Sequence, residues 1–204
     1  MQKLLVGVSV VTTLMTTLLT AQSPTAAVRL HLSPDSQLSF EGTSTLHDFT
    51  CTTKTMQAYI DVPSVYRTVD LSTLLHPIVG VQVVIPVKSL SCGGKLEGNM
   101  QKTLNATQYP YIVYQFSTSN IVPGSASATN LTVETHGQLT VSGKEVPIVM
   151  LVNITRGTDG LVTATGEQHL KMRDFGISPP TFMLGTLRVG NELKVRFTLK
   201  ATSE

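Results

Sequence analysis

Leu193-Lys194-Val195-Arg196-Phe197-Thr198-Leu199-Lys200 alternates apolar and polar residues almost without fault. A period of two with one apolar side describes a strand whose sheet has one dry face and one wet face. Working back from it, Val146 to Lys200 reads as strand, glycine turn, strand, irregular crossing at Arg173-Asp174-Phe175-Gly176-Ile177, and strand. A meander of half-wet strands must cover its dry face. With few helices available, the usual solution is to close the sheet into a barrel. The expectation is an all-β chain: one antiparallel barrel of about eight strands with one short amphipathic helix.

The same period recurs upstream. Arg29–Leu32 and Gln37–Gly42 read as short strands, and a third runs up to Thr53. Met56, Ala58, Ile60 and Val62 alternate with Gln57, Tyr59 and Asp61, and Val79 to Val87 keeps valine or isoleucine at every second position. Pro63–Pro77 reads as a polar, irregular connection. Further strands fall at Ile112–Phe116, Leu131–Glu134, His136–Val141, Val146–Ile154 and Val162–Met172. Ser142-Gly143-Lys144 and Gly157–Gly160 supply turns with the glycines that positive φ requires. Gly190-Asn191 reads as the last hairpin turn. Lys95–Thr107 is the one helical pattern, with Leu96, Met100 and Leu104 on a single stripe and Pro110 beyond it. Such a helix either lids one barrel end or packs on the outside of the sheet.

The chain has 204 residues, suited to one domain over residues 22–204 after a leader. Lys3, the uncharged run Leu4–Leu19 and the small residues around Ala21 read as a secretory signal over residues 1–21. Cleavage after Ala27 is the alternative. The run is too short and too rich in threonine for a membrane span. Without Lys3 the 15 basic residues fall to 14 against 13 acidic, a near-neutral balance with no basic stripe for nucleic acid. Tryptophan is absent and aromatic content is low, which weakens carbohydrate readings. In an exported protein Cys51 and Cys92 most simply form a disulfide, and two free thiols are the alternative. The loop it would close gives about 3–4 kcal/mol by chain entropy.

Several segments, in order, resemble the YceI-like family of secreted, lipocalin-like barrels that hold a polyisoprenoid chain. Leu38 to His47 is similar to the family's opening segment, and Val81–Leu90 followed by Leu104 to Ile112, with Tyr109-Pro110, to its helix-to-strand step. His136 to Pro147, with Leu139-Thr140-Val141-Ser142-Gly143, is close to its central hairpin. Gly166–Ile177 with Arg173-Asp174-Phe175-Gly176, then Leu187 to Leu193, is close to its final strands. Together these cover nearly all of residues 30–201. The chain departs from the family in its two cysteines, in Gly42-Thr43-Ser44-Thr45, and in lacking a double phenylalanine before Tyr109.

The resemblance implies a non-catalytic barrel that binds an isoprenoid, such as a polyprenyl phosphate or an isoprenoid quinone, or a similar apolar lipid, in the periplasm or outside the cell. Its role would be to carry, store or shield that lipid. An envelope stress or interaction protein whose barrel is filled by its own side chains is the alternative. A repeating hydrocarbon needs a continuous apolar lumen and little else. Phe40, Met56, Ile60, Val81, Val83, Ile85, Ile112, Tyr114 and Phe116 are candidates to line it. So are Ile148, Met150, Val152, Phe175, Val195 and Phe197. Each could equally be ordinary core. His47 could sit at the mouth, or be an ordinary hydrogen-bonded histidine. Arg173 could meet a ligand oxygen with its planar fork, or pair with Asp174 or a carbonyl to fix the crossing. Gly176 reads as the residue that lets the chain bend there.

The five histidines show no metal-ligand spacing, and no nucleophile elbow or phosphate loop is present, so no metal or cofactor is expected. A hydrolase acting on envelope lipid would have to rely on His47. Nucleic acid and a membrane-spanning segment are not expected as partners, and a homodimer is left open.

Overall fold

Alternation and turn chemistry resolve into eleven strands and one short helix in the computed structural model, which describes residues 26–203. The expected leader over residues 1–21 lies outside them. The strands are β1 (Ala27–Leu32), β2 (Gln37–Ser44), β3 (Phe49–Thr53), β4 (Gln57–Pro63), β5 (Gly80–Pro86), β6 (Tyr111–Ile121), β7 (Asn130–Val141), β8 (Lys144–Arg156), β9 (Val162–Lys171), β10 (Thr181–Phe182) and β11 (Leu187–Thr202). The helix is α1 (Lys95–Thr103).

Neighbours run β1-β4-β5-β6-β7-β8-β9-β11, and β11 returns to β1, so eight antiparallel strands close a barrel. Closure removes the exposed edges that an open sheet of this length would carry. At the β7–β8 hairpin Ser142 and Gly143 take φ of 50° and 75°, the two positive angles a tight hairpin turn demands.

The far edge of β11 is shared. Near its C-terminus it pairs with β1 through His31–Thr202 and Leu32–Ala201. Toward its N-terminus it pairs with β2, and β2 carries β3 beyond it. Where β1 stops and β2 begins, the fully buried Ser36 patches the ladder: its hydroxyl donates to the Lys200 carbonyl (3.2 Å) and accepts from the Lys200 N–H (3.0 Å). β3 in turn meets the segment after β5. Thr52 and Ser91 exchange both backbone hydrogen bonds at 2.8 Å, and Cys51 and Cys92 form a disulfide beside them.

Three readings from the pattern are corrected. Gly190-Asn191 is not a hairpin turn but a bulge inside β11, where the register on β2 shifts between Val189 and Leu193. Glycine is needed there because a Cβ on Gly190 would meet the Thr43 hydroxyl at 2.3 Å. Leu131–Glu134 and His136–Val141 are one strand, and α1 ends at Thr103, short of Thr107.

The core is not one mass. Leu30, Val62, Tyr66 and Ala201 form one buried cluster, and Leu71, Leu131, Val133 and Val152 a second toward the same end. Val141, Met172, Phe175 and Ile177 form a third at the other end. Between them the barrel is hollow.

Candidate functional site

Inward residues of the closed wall surround a cavity of about 270 Å³, far above the single-water voids of a packed interior. Its lining is almost wholly aliphatic and aromatic. Ile60 comes from β4; Val81, Val83 and Ile85 from β5; Ile112, Tyr114 and Phe116 from β6. Ile148, Met150 and Val152 come from β8, Val195 and Phe197 from β11, and Phe40 from β2. Period-two alternation puts each of them on the inner face.

The bore stays open because aromatic rings lie flat on the wall. Phe197 sits directly opposite Gly166, and a Cβ on that glycine would meet the ring at 2.4 Å. The Tyr114 ring lies over Gly137 in the same way, with ring carbons 2.6–2.7 Å from the missing Cβ. A larger residue at either glycine would push the ring across the lumen.

Both ends are capped. At one end the connection after β4 folds inward, bringing Tyr66, Leu71, Leu74 and Ile78 onto the lumen. Arg156 ties that connection down by donating to the carbonyls of Tyr66, Val69 and Ala128. Arg67 adds bonds to the Tyr66 hydroxyl (3.0 Å) and the Ser203 carbonyl (2.6 Å). At the other end the crossing after β9 makes a 3-10 turn at Met172–Phe175. Residues three apart eclipse in such a turn, so Met172 and Phe175 are buried together while Arg173 and Asp174 face solvent. Gly176 ends the turn at φ 72°, and Asn191 accepts the Arg173 backbone N–H at 3.1 Å.

Beside this second cap lies a smaller apolar chamber. The stripe of α1 (Leu96 and Met100, with Leu104 beyond the helix) forms one side; Phe49, Cys51, Phe182 and Val189 form another. Phe40, Leu104, Met172 and Leu193 border both cavities, so the chamber adjoins the lumen. The helix therefore forms a wall of this adjoining chamber and does not itself border the barrel cavity.

Three sequence candidates lie elsewhere. Met56 precedes β4, outside the alternation that turns Ile60 inward. His47 is exposed in the β2–β3 turn, where its Nδ1 contacts the Asp48 carbonyl at 2.8 Å. Arg173 is exposed on the 3-10 turn. Conversely, β7 contributes Leu131, Thr135, Leu139 and Val141, a legible period-two face that sequence reasoning did not single out. The lumen contacts of Tyr66, Leu71 and Leu74 carry no such period.

Polar groups in the lining are few and mostly committed. Thr135 Oγ1 donates to the Met150 carbonyl (3.2 Å), and Gln168 Nε2 to the His169 carbonyl (3.2 Å). Tyr114 Oη is enclosed without a hydrogen-bond partner, the one such buried side-chain atom among the described residues. Burial pushes its pKa up, so it stays neutral. Among the described lining residues there is no His, Cys, Ser, Asp or Glu. The described residues also hold no group of three or more metal-ligating side chains and no helix long and apolar enough to cross a membrane.

The family profile described as the YceI-like domain matches residues 31–201. Burkholderia cenocepacia BcnA shares the fold at 18% identity and TM-score 0.66, covering 84% of this chain and 99% of its own. A polyisoprenoid-binding domain from Saccharophagus degradans, implicated in plant cell wall breakdown, is 15% identical with TM-score 0.64, covering 87% and 99%. The YceI protein of Campylobacter jejuni is 16% identical with TM-score 0.58, covering 76% and 84%. At these identities the likeness is one of fold. No curated protein matches the chain.

Proposed function

The chain belongs to the YceI-like domain family, and on that footing we propose that its lumen holds one isoprenoid or similar long apolar lipid, without catalysis, to carry, store or shield it in the cell envelope. The observation that carries this reading is the hollow bore, lined by hydrocarbon and kept clear by rings folded onto Gly137 and Gly166. A barrel of eight strands has room for one slim ligand when its inward side chains do not fill it. A tail inside would lose its contact with water at about 25 cal/mol per Å² of apolar surface, less the cost of ordering it. The name of the Saccharophagus degradans domain supports the isoprenoid class. A lining without His, Cys, Ser, Asp or Glu favours binding over turnover.

An exported location accords with the leader read over residues 1–21 and with the Cys51–Cys92 disulfide, which suits an oxidising compartment. The test is native mass spectrometry with lipid extraction of the purified protein. Recovery of one isoprenoid or comparable lipid per chain is expected. Gly166→Val, which drives the Phe197 ring into the bore, should abolish its retention while far-ultraviolet circular dichroism still reports the barrel. A protein that stays empty and takes up no prenyl lipid overturns the reading.

A further inference from the structure

The barrel end that carries the smaller chamber also carries two leucines that the fold holds out in water. Leu184 is 108% exposed and Leu46 is 70% exposed. Burying either inside the protein would have been the ordinary outcome for a leucine. Instead each is presented by a tightly bonded loop. Leu46 sits in the β2–β3 turn, where the Ser44 hydroxyl accepts the backbone N–H of Leu46 (3.3 Å) and His47 (3.2 Å) and donates to the His47 carbonyl (2.7 Å). Leu184 precedes β11 with a left-handed φ of 55°, a conformation costly for a branched residue, followed by Gly185 at φ 90°. The Arg188 side chain fastens that loop by donating from Nε to the Gly185 carbonyl at 3.0 Å.

The two loops are bonded to one another. Thr45 Oγ1 donates to the Thr186 carbonyl (3.0 Å) and accepts the Arg188 N–H (3.1 Å), while the Thr45 N–H reaches the Arg188 carbonyl (3.0 Å). Antiparallel pairing of β2 with β11 places both tips beyond the same end of the barrel. Beneath them the chamber is lined by Phe49, which follows the first turn, and by Phe182 and Val189, which flank the second loop. Arg188 is exposed just after the second loop, and exposed His47 and Asp48 follow Leu46 in the first turn.

We propose that this end docks on a lipid bilayer, with Leu46 and Leu184 inserted below the headgroups and the Arg188 guanidinium at phosphate level. A bilayer fits better than a protein groove for three reasons. The apolar points are separate tips rather than a contiguous patch. An exposed cation suited to phosphate, Arg188, is bonded to both loops, through its backbone N–H to Thr45 and through Nε to Gly185. The loops are also flanked by Phe49, Phe182 and Val189, which line a chamber that shares Phe40, Leu104, Met172 and Leu193 with the lumen, so apolar surface lies between the tips and the bore. The purpose of docking rests on the lipid-binding reading above; the docking itself does not.

The test is flotation with vesicles of phosphatidylethanolamine and phosphatidylglycerol, using the full mature chain, its Leu46→Ser/Leu184→Ser double variant and Leu75→Ser. Leu75 is 85% exposed but belongs to the connection that caps the opposite end, so it controls for general stickiness. The parent and Leu75→Ser should float alike, and the double variant should lose at least about tenfold in vesicle affinity. Because both leucines are exposed, its melting temperature should be unchanged. A parent that does not float, equal loss in Leu75→Ser, or a double variant that floats like the parent overturns the docking. Flotation by a protein with an empty lumen would instead sink the lipid-carrying function and leave the docking standing.

Discussion

β7 and β8 face each other across twelve consecutive residue pairs, from Asn130–Thr155 to Val141–Lys144. The opposite side of the barrel is assembled from pieces: β1, a serine hydroxyl, β2, and a β3 flap held to the Ser91–Cys92 segment by two backbone bonds and a disulfide. Both sides exclude water from the same lumen. The first does so with local contacts that form whenever one hairpin turn forms. The second joins residues as far apart as Ser36 and Lys200, so ordering it costs much more chain entropy. Where strands run out, single side chains such as Ser36 finish the wall.

The sharpest challenge to that contrast is removal of the disulfide. Reduction, or Cys51→Ser with Cys92→Ser, releases a cross-link between residues 41 apart and should cost about 3–4 kcal/mol in denaturant unfolding. A transition that does not move would show that the flap is held by its backbone bonds alone. Next comes Ser36→Ala, which leaves the Lys200 N–H without its partner while the Lys200 carbonyl keeps the Ser33 N–H (2.7 Å); it should cost about 1–3 kcal/mol. Hydrogen exchange at Lys200 should rise with it, and unchanged protection would mean that another group patches the ladder.

On the hairpin side, Gly143→Ala places a Cβ where φ is 75° and where the Tyr109 ring would lie 2.4 Å away. The expected loss is about 1–2 kcal/mol, from a backbone forced into the left-handed region. A loss exceeding that of the disulfide would reverse the ranking of the two sides. The smallest effect belongs to the exposed network in which Arg196 bonds Glu167 (2.8 Å) and Glu41 across β9, β11 and β2. The hydrogen bond from Arg196 holds the Glu167 carboxyl below its ordinary pKa. A depressed carboxylate stabilises the fold above its unfolded pKa and loses that contribution as pH falls through the folded value. Arg196→Met should therefore show a slightly lower melting temperature at neutral pH and none of the difference in acid, and a gap that widens in acid would contradict this.

Much of the barrel was legible in the chain because its inner face is written with a period of two. Thirteen of the expected lining residues (Phe40, Ile60, Val81, Val83, Ile85, Ile112, Tyr114, Phe116, Ile148, Met150, Val152, Val195 and Phe197) border the cavity from strands, and Phe175 borders it from the 3-10 turn. The pairing of Cys51 with Cys92 was legible from their number and the expectation of export. His47, Met56 and Arg173 were less tractable. Each sits where the period breaks, at a turn, a strand start and a 3-10 turn, and there sequence spacing no longer says which way a side chain points.

Alternation along single strands, by itself, determined that this protein would be a β-barrel with an apolar inside, because neighbours two apart must share a face. Whether that inside would be full or hollow was decided only in three dimensions. It depends on Phe197 meeting Gly166 across a strand pair and on Tyr114 reaching over Gly137 from the next strand. Those pairings are set by register between distant segments, and no local pattern encodes register over such separations.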